Sequence, residues 1–139
     1  RDLLVGQASA AARQREALLE TIDGEYESLI DARQRFESAE VPLEGRGESE
    51  LDAEPFETLF DLDRRSRRDE MRYERLLADR QRQIHRESRW FRTPETAFFQ
   101  AYLYRNSDVR FPVLQATLER IRRLRERRRA LTREIARRQ

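Results

Sequence analysis

Chemistry in this chain rests on arginine and the carboxylates, because the sequence holds one histidine and no cysteine. His85 by itself cannot anchor a zinc or transition-metal centre, which needs three or four converging nitrogen, sulfur or oxygen ligands. It reads as a surface residue. The carboxylates recur at helical spacing, as in Glu16/Glu20, Asp23/Glu27 and Glu70/Glu74, which is the pattern of a solvated or salt-bridged helix face. No Glu-x-x-His pair, EF-hand loop, glycine-rich phosphate loop or nucleophile elbow accompanies them. The chain is therefore expected to be non-enzymatic, with no cofactor and no metal.

All 29 basic residues are arginine, which arginine-favouring codons explain as simply as a demand for guanidinium chemistry. The densest run supplies the candidate anion contacts: Arg120, Arg122, Arg123, Arg125, Arg127, Arg128 and Arg129. A basic helix of this kind can lie against a phosphate backbone or an anionic membrane surface. Two features oppose that as the first reading. Leucine and isoleucine continue on a regular stripe through the run, so one face is committed to packing. In addition, residues 1–63 carry six arginines against seventeen acids, whereas residues 64–139 carry twenty-three against ten. Self-neutralisation, with the acidic first helix as counter-face, is the cheaper outcome. A nucleic-acid partner is the alternative, and a membrane enters only through flanking segments.

The third feature is aromatic. Residues 90–111 hold seven of the twelve aromatic side chains, and Trp90, Phe91, Phe98, Phe99, Tyr102 and Tyr104 are the candidate partner or oligomer contacts. On a short helix, Phe98, Phe99, Tyr102, Leu103 and Tyr104 nearly encircle the axis. Such a helix is either core or an anchor for a partner. Burial is favoured here, partly against the long helices and partly across an oligomer interface.

The elements that must position these groups follow from periodicity. Leu4, Ala8, Ala11, Leu18, Ile22, Leu29, Ala32, Phe36 and Ala39 fall on a heptad-like grid, predicting one long amphipathic helix from Leu4 to about Ala39, mostly alanine in its first half and bulkier in its second. Residues 41–55, with two prolines, two glycines and five acids, are expected to form a mobile acidic loop. A second long helix runs from Phe56 to about Phe91. Between Asp63 and Arg72 only Met71 is large and apolar, so this part must rely on charge pairing, on the acidic first helix, or on little. Thr93-Pro94-Glu95 starts a short aromatic helix ending near Arg105. Pro112 opens the last long helix, which carries Leu114, Leu118, Ile121, Leu124, Leu131 and Ile135 on one face.

With 40% charged residues, four glycines and four prolines, the composition belongs to the long-helix class. The expected fold is all-α: an elongated, antiparallel, coiled-coil-like hairpin or bundle of two long helices, one short aromatic helix and one long C-terminal helix. It is expected to form a single domain over residues 1–139, excised from a larger protein because the chain begins at Arg1. The function read from this is protein–protein interaction, as a coiled-coil scaffold, spacer or assembly module that is oligomeric. A nucleic-acid-binding helical module and a sensory or juxtamembrane signalling bundle are the alternatives. If the aromatic segment is core, Phe98→Ala or Trp90→Ala lowers stability by about 3–5 kcal/mol in thermal melts followed by circular dichroism, while His85→Ala leaves the midpoint unmoved.

Overall fold

The computed structural model describes residues 1–38, 47–90, 103–109 and 111–139, the side chains of residues 48 and 87–90 excepted. The described chain is all-α, without strands: α1 (Asp2–Ser38), α2 (Glu48–Ala53), α3 (Phe56–Trp90) and α4 (Pro112–Arg138). It divides into two compact units, Arg1–Phe36 and Glu37–Gln139.

The first unit is α1. Its 37 residues make a helix about 55 Å long, which runs through Gly24 without interruption. A Cβ at Gly24 would meet no atom within 4 Å, so that glycine costs the helix only its propensity, about 1 kcal/mol relative to alanine.

The second unit is organised by an antiparallel hairpin of α3 and α4. Along α3 the buried positions are Leu59, Leu62, Ser66, Asp69, Tyr73, Leu76 and Arg80, alternating steps of three and four. That is a heptad seam. On α4 the matching stripe is Val113, Thr117, Ile121, Leu124 and Leu131. The cross-contacts run in opposite directions: Tyr73 meets Arg120, Glu70 meets Arg125, and Asp63 meets Arg128.

Three of the seven α3 seam positions, Ser66, Asp69 and Arg80, are polar yet buried, and the hydroxyls in the seam are satisfied locally. The Ser66 hydroxyl donates to the Leu62 carbonyl at 2.7 Å, and the Thr117 hydroxyl across the seam donates to the Val113 carbonyl at 2.6 Å. Each satisfies its own hydroxyl within one turn, so no partner on the other helix is required. The seam becomes fully apolar at its base, where Leu51, Leu59, Leu62 and Leu131 pack together with Ala130 and Ile135 beside them.

Leu51 belongs to α2, which lies inside the stretch expected to be a mobile loop. Six residues are too few to display a period, and the forces that fold them are tertiary. The Gly47 N–H donates to Glu50 Oε2 at 3.1 Å, half of a capping box, since glycine has no side chain to return the bond. Leu51 is buried in the apolar base. The Arg138 guanidinium then donates to the carbonyls of Leu51 (2.9 Å), Asp52 (2.5 Å) and Glu54 (2.5 Å), groups that a helix end leaves without partners.

The helix starts agree with the sequence to within a residue. Pro55 lies just outside α3, its carbonyl accepting from the Leu59 N–H at 3.2 Å. Pro112 opens α4, and Phe111 before it is non-helical, with φ −130° and ψ 73°, in keeping with the bias against helical geometry before proline. The short aromatic helix lies mostly outside the described residues; Leu103 is helical and the chain turns from Tyr104, whose carbonyl accepts from the Ser107 N–H at 2.9 Å.

The apolar base sets the stability of the hairpin. Leu131→Ala is expected to cost about 2–5 kcal/mol in urea denaturation, the range for emptying a filled leucine site. Phe60→Ala, at a position 47% exposed, is expected to cost under about 1 kcal/mol.

Candidate functional site

The stretch of α3 with little apolar content is held by charge. Glu70 is the centre of it: Arg125 Nε donates to Oε1 at 2.5 Å, and Arg128 Nη1 donates to Oε2. Arg125 reaches further, its Nη2 donating to Glu74 Oε1 at 2.8 Å, and Arg128 Nε approaches Asp63 Oδ1 at 3.5 Å. Arg137 pairs with Asp52 at the base. The Glu70/Glu74 spacing noted in the sequence is therefore a receiving face, one turn apart and opposite one guanidinium. Asp63 and Glu70 fall at successive positions flanking the heptad seam, where they meet α4.

This corrects the expected source of neutralisation. The carboxylates facing Arg125, Arg128 and Arg137 come from α2 and α3, and the acidic charge of the N-terminal half is concentrated between residues 37 and 63, which hold ten acids and one arginine. Helix α1 contributes little to the asymmetry, with eight acids against four arginines.

The arginine run does not act as one surface. Arg122 is engaged on its own helix by Glu119, at 3.0 and 2.8 Å, and by Glu126 at 2.8 Å. Arg123 also donates to Glu119, at 2.8 Å. Arg120 lies half-buried with Nη1 at 3.4 Å from the Tyr73 hydroxyl, which is itself buried at the seam. Arg125 and Arg128 bridge the helices. Arg127 and Arg129 are exposed, and Arg129 has no polar partner among the described residues.

Of the aromatic candidates, Phe91, Phe98, Phe99 and Tyr102 lie outside the described residues, as does the side chain of Trp90, the last residue of α3. Tyr104 is half-buried in the turn that follows. The described aromatic pair lies elsewhere: Phe56 and Phe60 meet edge to face, 5.0 Å between centroids, at the start of α3. Their spacing of four on a helix is a signal the sequence carried.

Electrostatically the carboxylates respond to their partners. Burial pushes the Glu70 carboxyl up, but the hydrogen bonds and charges of Arg125 and Arg128 outweigh it and hold the group below its ordinary value. Glu119 is lowered to about 2 by its hydrogen bonds from Arg122 and then Arg123. Glu134 is lowered to about 2 by Arg137 against a smaller opposing effect of burial, with Arg138 adding to the lowering.

Among the described residues no group of three or more His, Cys, Asp or Glu side chains is placed to hold a metal ion, and no helix is long and apolar enough to cross a membrane. Fold and site together define an all-α helical module whose charged groups are engaged in holding two helices in register. The chain belongs to the DUF7260 family, a domain of unknown function, whose family model matches residues 1–128. No curated protein and no solved structure matches it.

The lowered carboxylates fix the sign of the acid response. Each contributes stability that is present above the ordinary glutamate value of 4.5 and is lost as pH falls through the folded value, which for Glu119 and Glu134 is about 2. Urea melts at descending pH are expected to lose stability across that window. Glu70→Gln is expected to cost about 1–3 kcal/mol at neutral pH, the range for hydrogen bonds to charged groups, and to flatten the acid limb.

Proposed function

We propose that the protein is a self-associating assembly module in which α1 pairs with α1 of a second copy. One observation carries this reading: large apolar side chains stand exposed along α1, among them Leu4, Leu18, Leu19, Ile22, Tyr26 and Ile30. Exposed apolar side chains arrayed at helical spacing over about seven turns make a stripe, and a stripe of that length favours a partner.

The helix is suited to itself as that partner. An antiparallel pairing centred on Leu18 and Leu19 sets Ala8 and Ala11 of one copy against Ile30 and Tyr26 of the other, small residues facing large ones, as a close-packed seam requires. The same register brings Arg13 of one copy beside Asp23 of the other. Because the pairing is two-fold, every such contact occurs twice, and the interface closes without leaving a further edge. A protein-interaction role without catalysis is the broader reading in which this sits.

Light scattering over a dilution series tests it. A mass near twice 16.8 kDa is expected at high concentration, falling towards the monomer on dilution. The double variant Leu18→Glu, Ile22→Glu is expected to weaken association by at least about tenfold, since two like charges then face each other in a desolvated seam. A monomer at every concentration overturns the proposal.

A further inference from the structure

The heptad register of the α3–α4 hairpin gives it two unlike flanks. On one, Asp63 and Glu70 meet Arg125 and Arg128, and charge is cancelled across the seam. On the other, the register places Arg65 and Arg72 of α3 opposite Arg127 and Arg120 of α4, with Arg68 and Arg75 of α3 just outside them. Like charge faces like charge there. Arg82 and Arg86 continue the α3 stripe, so that from Arg65 to Arg86 it extends over about 32 Å.

The carboxylates on this side are few and already engaged: Asp61 with Arg64 at 2.5 Å, Asp69 with Arg72 at 3.4 Å, and Asp79 with Arg82 at 2.5 Å. Asp69 is also buried, 4% exposed. Arg65, Arg68 and Arg75 are exposed and have no polar partner among the described residues. A row of guanidinium groups held one turn apart on a rigid hairpin repels itself until an anion covers it. The structure itself maintains this repulsion, because the buried seam fixes which residues reach the flank.

We infer that this flank, made by Arg65, Arg68, Arg72 and Arg75 of α3 with Arg120 and Arg127 of α4, binds the phosphate backbone of a nucleic acid. The choice between phosphate and an acidic protein follows from what the flank lacks. A stable protein interface needs a desolvated apolar centre and is depleted in charge there. The stripe from Asp61 to Arg86 on α3 contains only aspartate and arginine at the flanking positions. Nucleic-acid interfaces, by contrast, are polar and strongly positive, and arginine offers phosphate two parallel hydrogen bonds. The other arginines of the C-terminal run are mostly on other faces, so this surface shares only Arg120 and Arg127 with that run, and it does not depend on self-association through α1.

Fluorescence anisotropy with the full chain tests the assignment, using labelled DNA and RNA duplexes of the same sequence and about 20 base pairs across a salt series from about 50 mM. The variant Arg65→Gln, Arg68→Gln, Arg75→Gln is compared with Arg64→Gln, Arg67→Gln, Arg129→Gln, which removes the same charge from exposed positions off the flank. The flank variant is expected to weaken binding at least about tenfold and to reduce the salt slope by about 2–3, as three lost phosphate contacts require, while the control shifts binding less than about threefold. Binding of either duplex supports the assignment, and the tighter one names the source of the phosphate. Absence of binding at the lowest salt overturns it, as does equal weakening by the two variants. Displacement by polyglutamate as effective as by unlabelled duplex at equal charge overturns it too, since the surface would then read any polyanion.

Discussion

Glu70 holds two arginines of α4, and the alignment of the hairpin depends on that contact. The seam beneath it is polar at Ser66 and Asp69, so leucine packing alone does not specify which turn of α4 faces which turn of α3 in its middle. A carboxylate gripped by Arg125 on one oxygen and Arg128 on the other penalises any slip, because a shift of one turn strands charges in partly desolvated positions. Packing at the base and charge in the middle thus divide the work: Leu59, Leu62 and Leu131 supply the apolar burial, and Glu70 supplies the register.

The base has its own closure. Leu51 completes the apolar cluster from outside the hairpin, and it reaches that place because α2 is held at both ends. Glu50 caps the start through the Gly47 N–H, while Arg138, next to the end of the chain, gathers three carbonyls at the finish. A guanidinium is suited to this task, since its planar fork carries five donors and cannot be deprotonated. The arginines of α4 therefore do different work along its length: register in the middle and capping at the end.

Function follows from what the hairpin leaves over. Its cross-helix pairing uses Asp63, Glu70 and Glu74 on one flank, while Arg65, Arg68 and Arg75 stand exposed on the other. The apolar surplus lies in the first unit, where the side chains of α1 stand exposed. The proposed pairing of α1 would present the basic flank in more than one copy, and multivalent presentation strengthens contacts to a polyanion without adding any new one.

Much of this was legible in the residues. The all-α class, the extents of α1 and α3, and the start of α4 at Pro112 follow from local rules: heptad spacing, proline geometry and the scarcity of glycine. Charge pairing as the support for the stretch between Asp63 and Arg72 was also legible, since nothing apolar was there to do it. Local rules fail where the decisive partner is distant in sequence. Helix α2 looked like a loop because six residues, three of them acidic, have no period, and Leu51 in the base and Arg138 at its end hold them in place. Net charge summed over each half pointed to α1 as the counter-face, whereas the acids that meet α4 are Asp52, Asp63, Glu70 and Glu74. A sum over a segment carries no direction. Which arginines are cancelled and which are left is a property of the seam register, and that register exists only once two helices, their facing residues more than fifty positions apart in the middle of the seam, have packed.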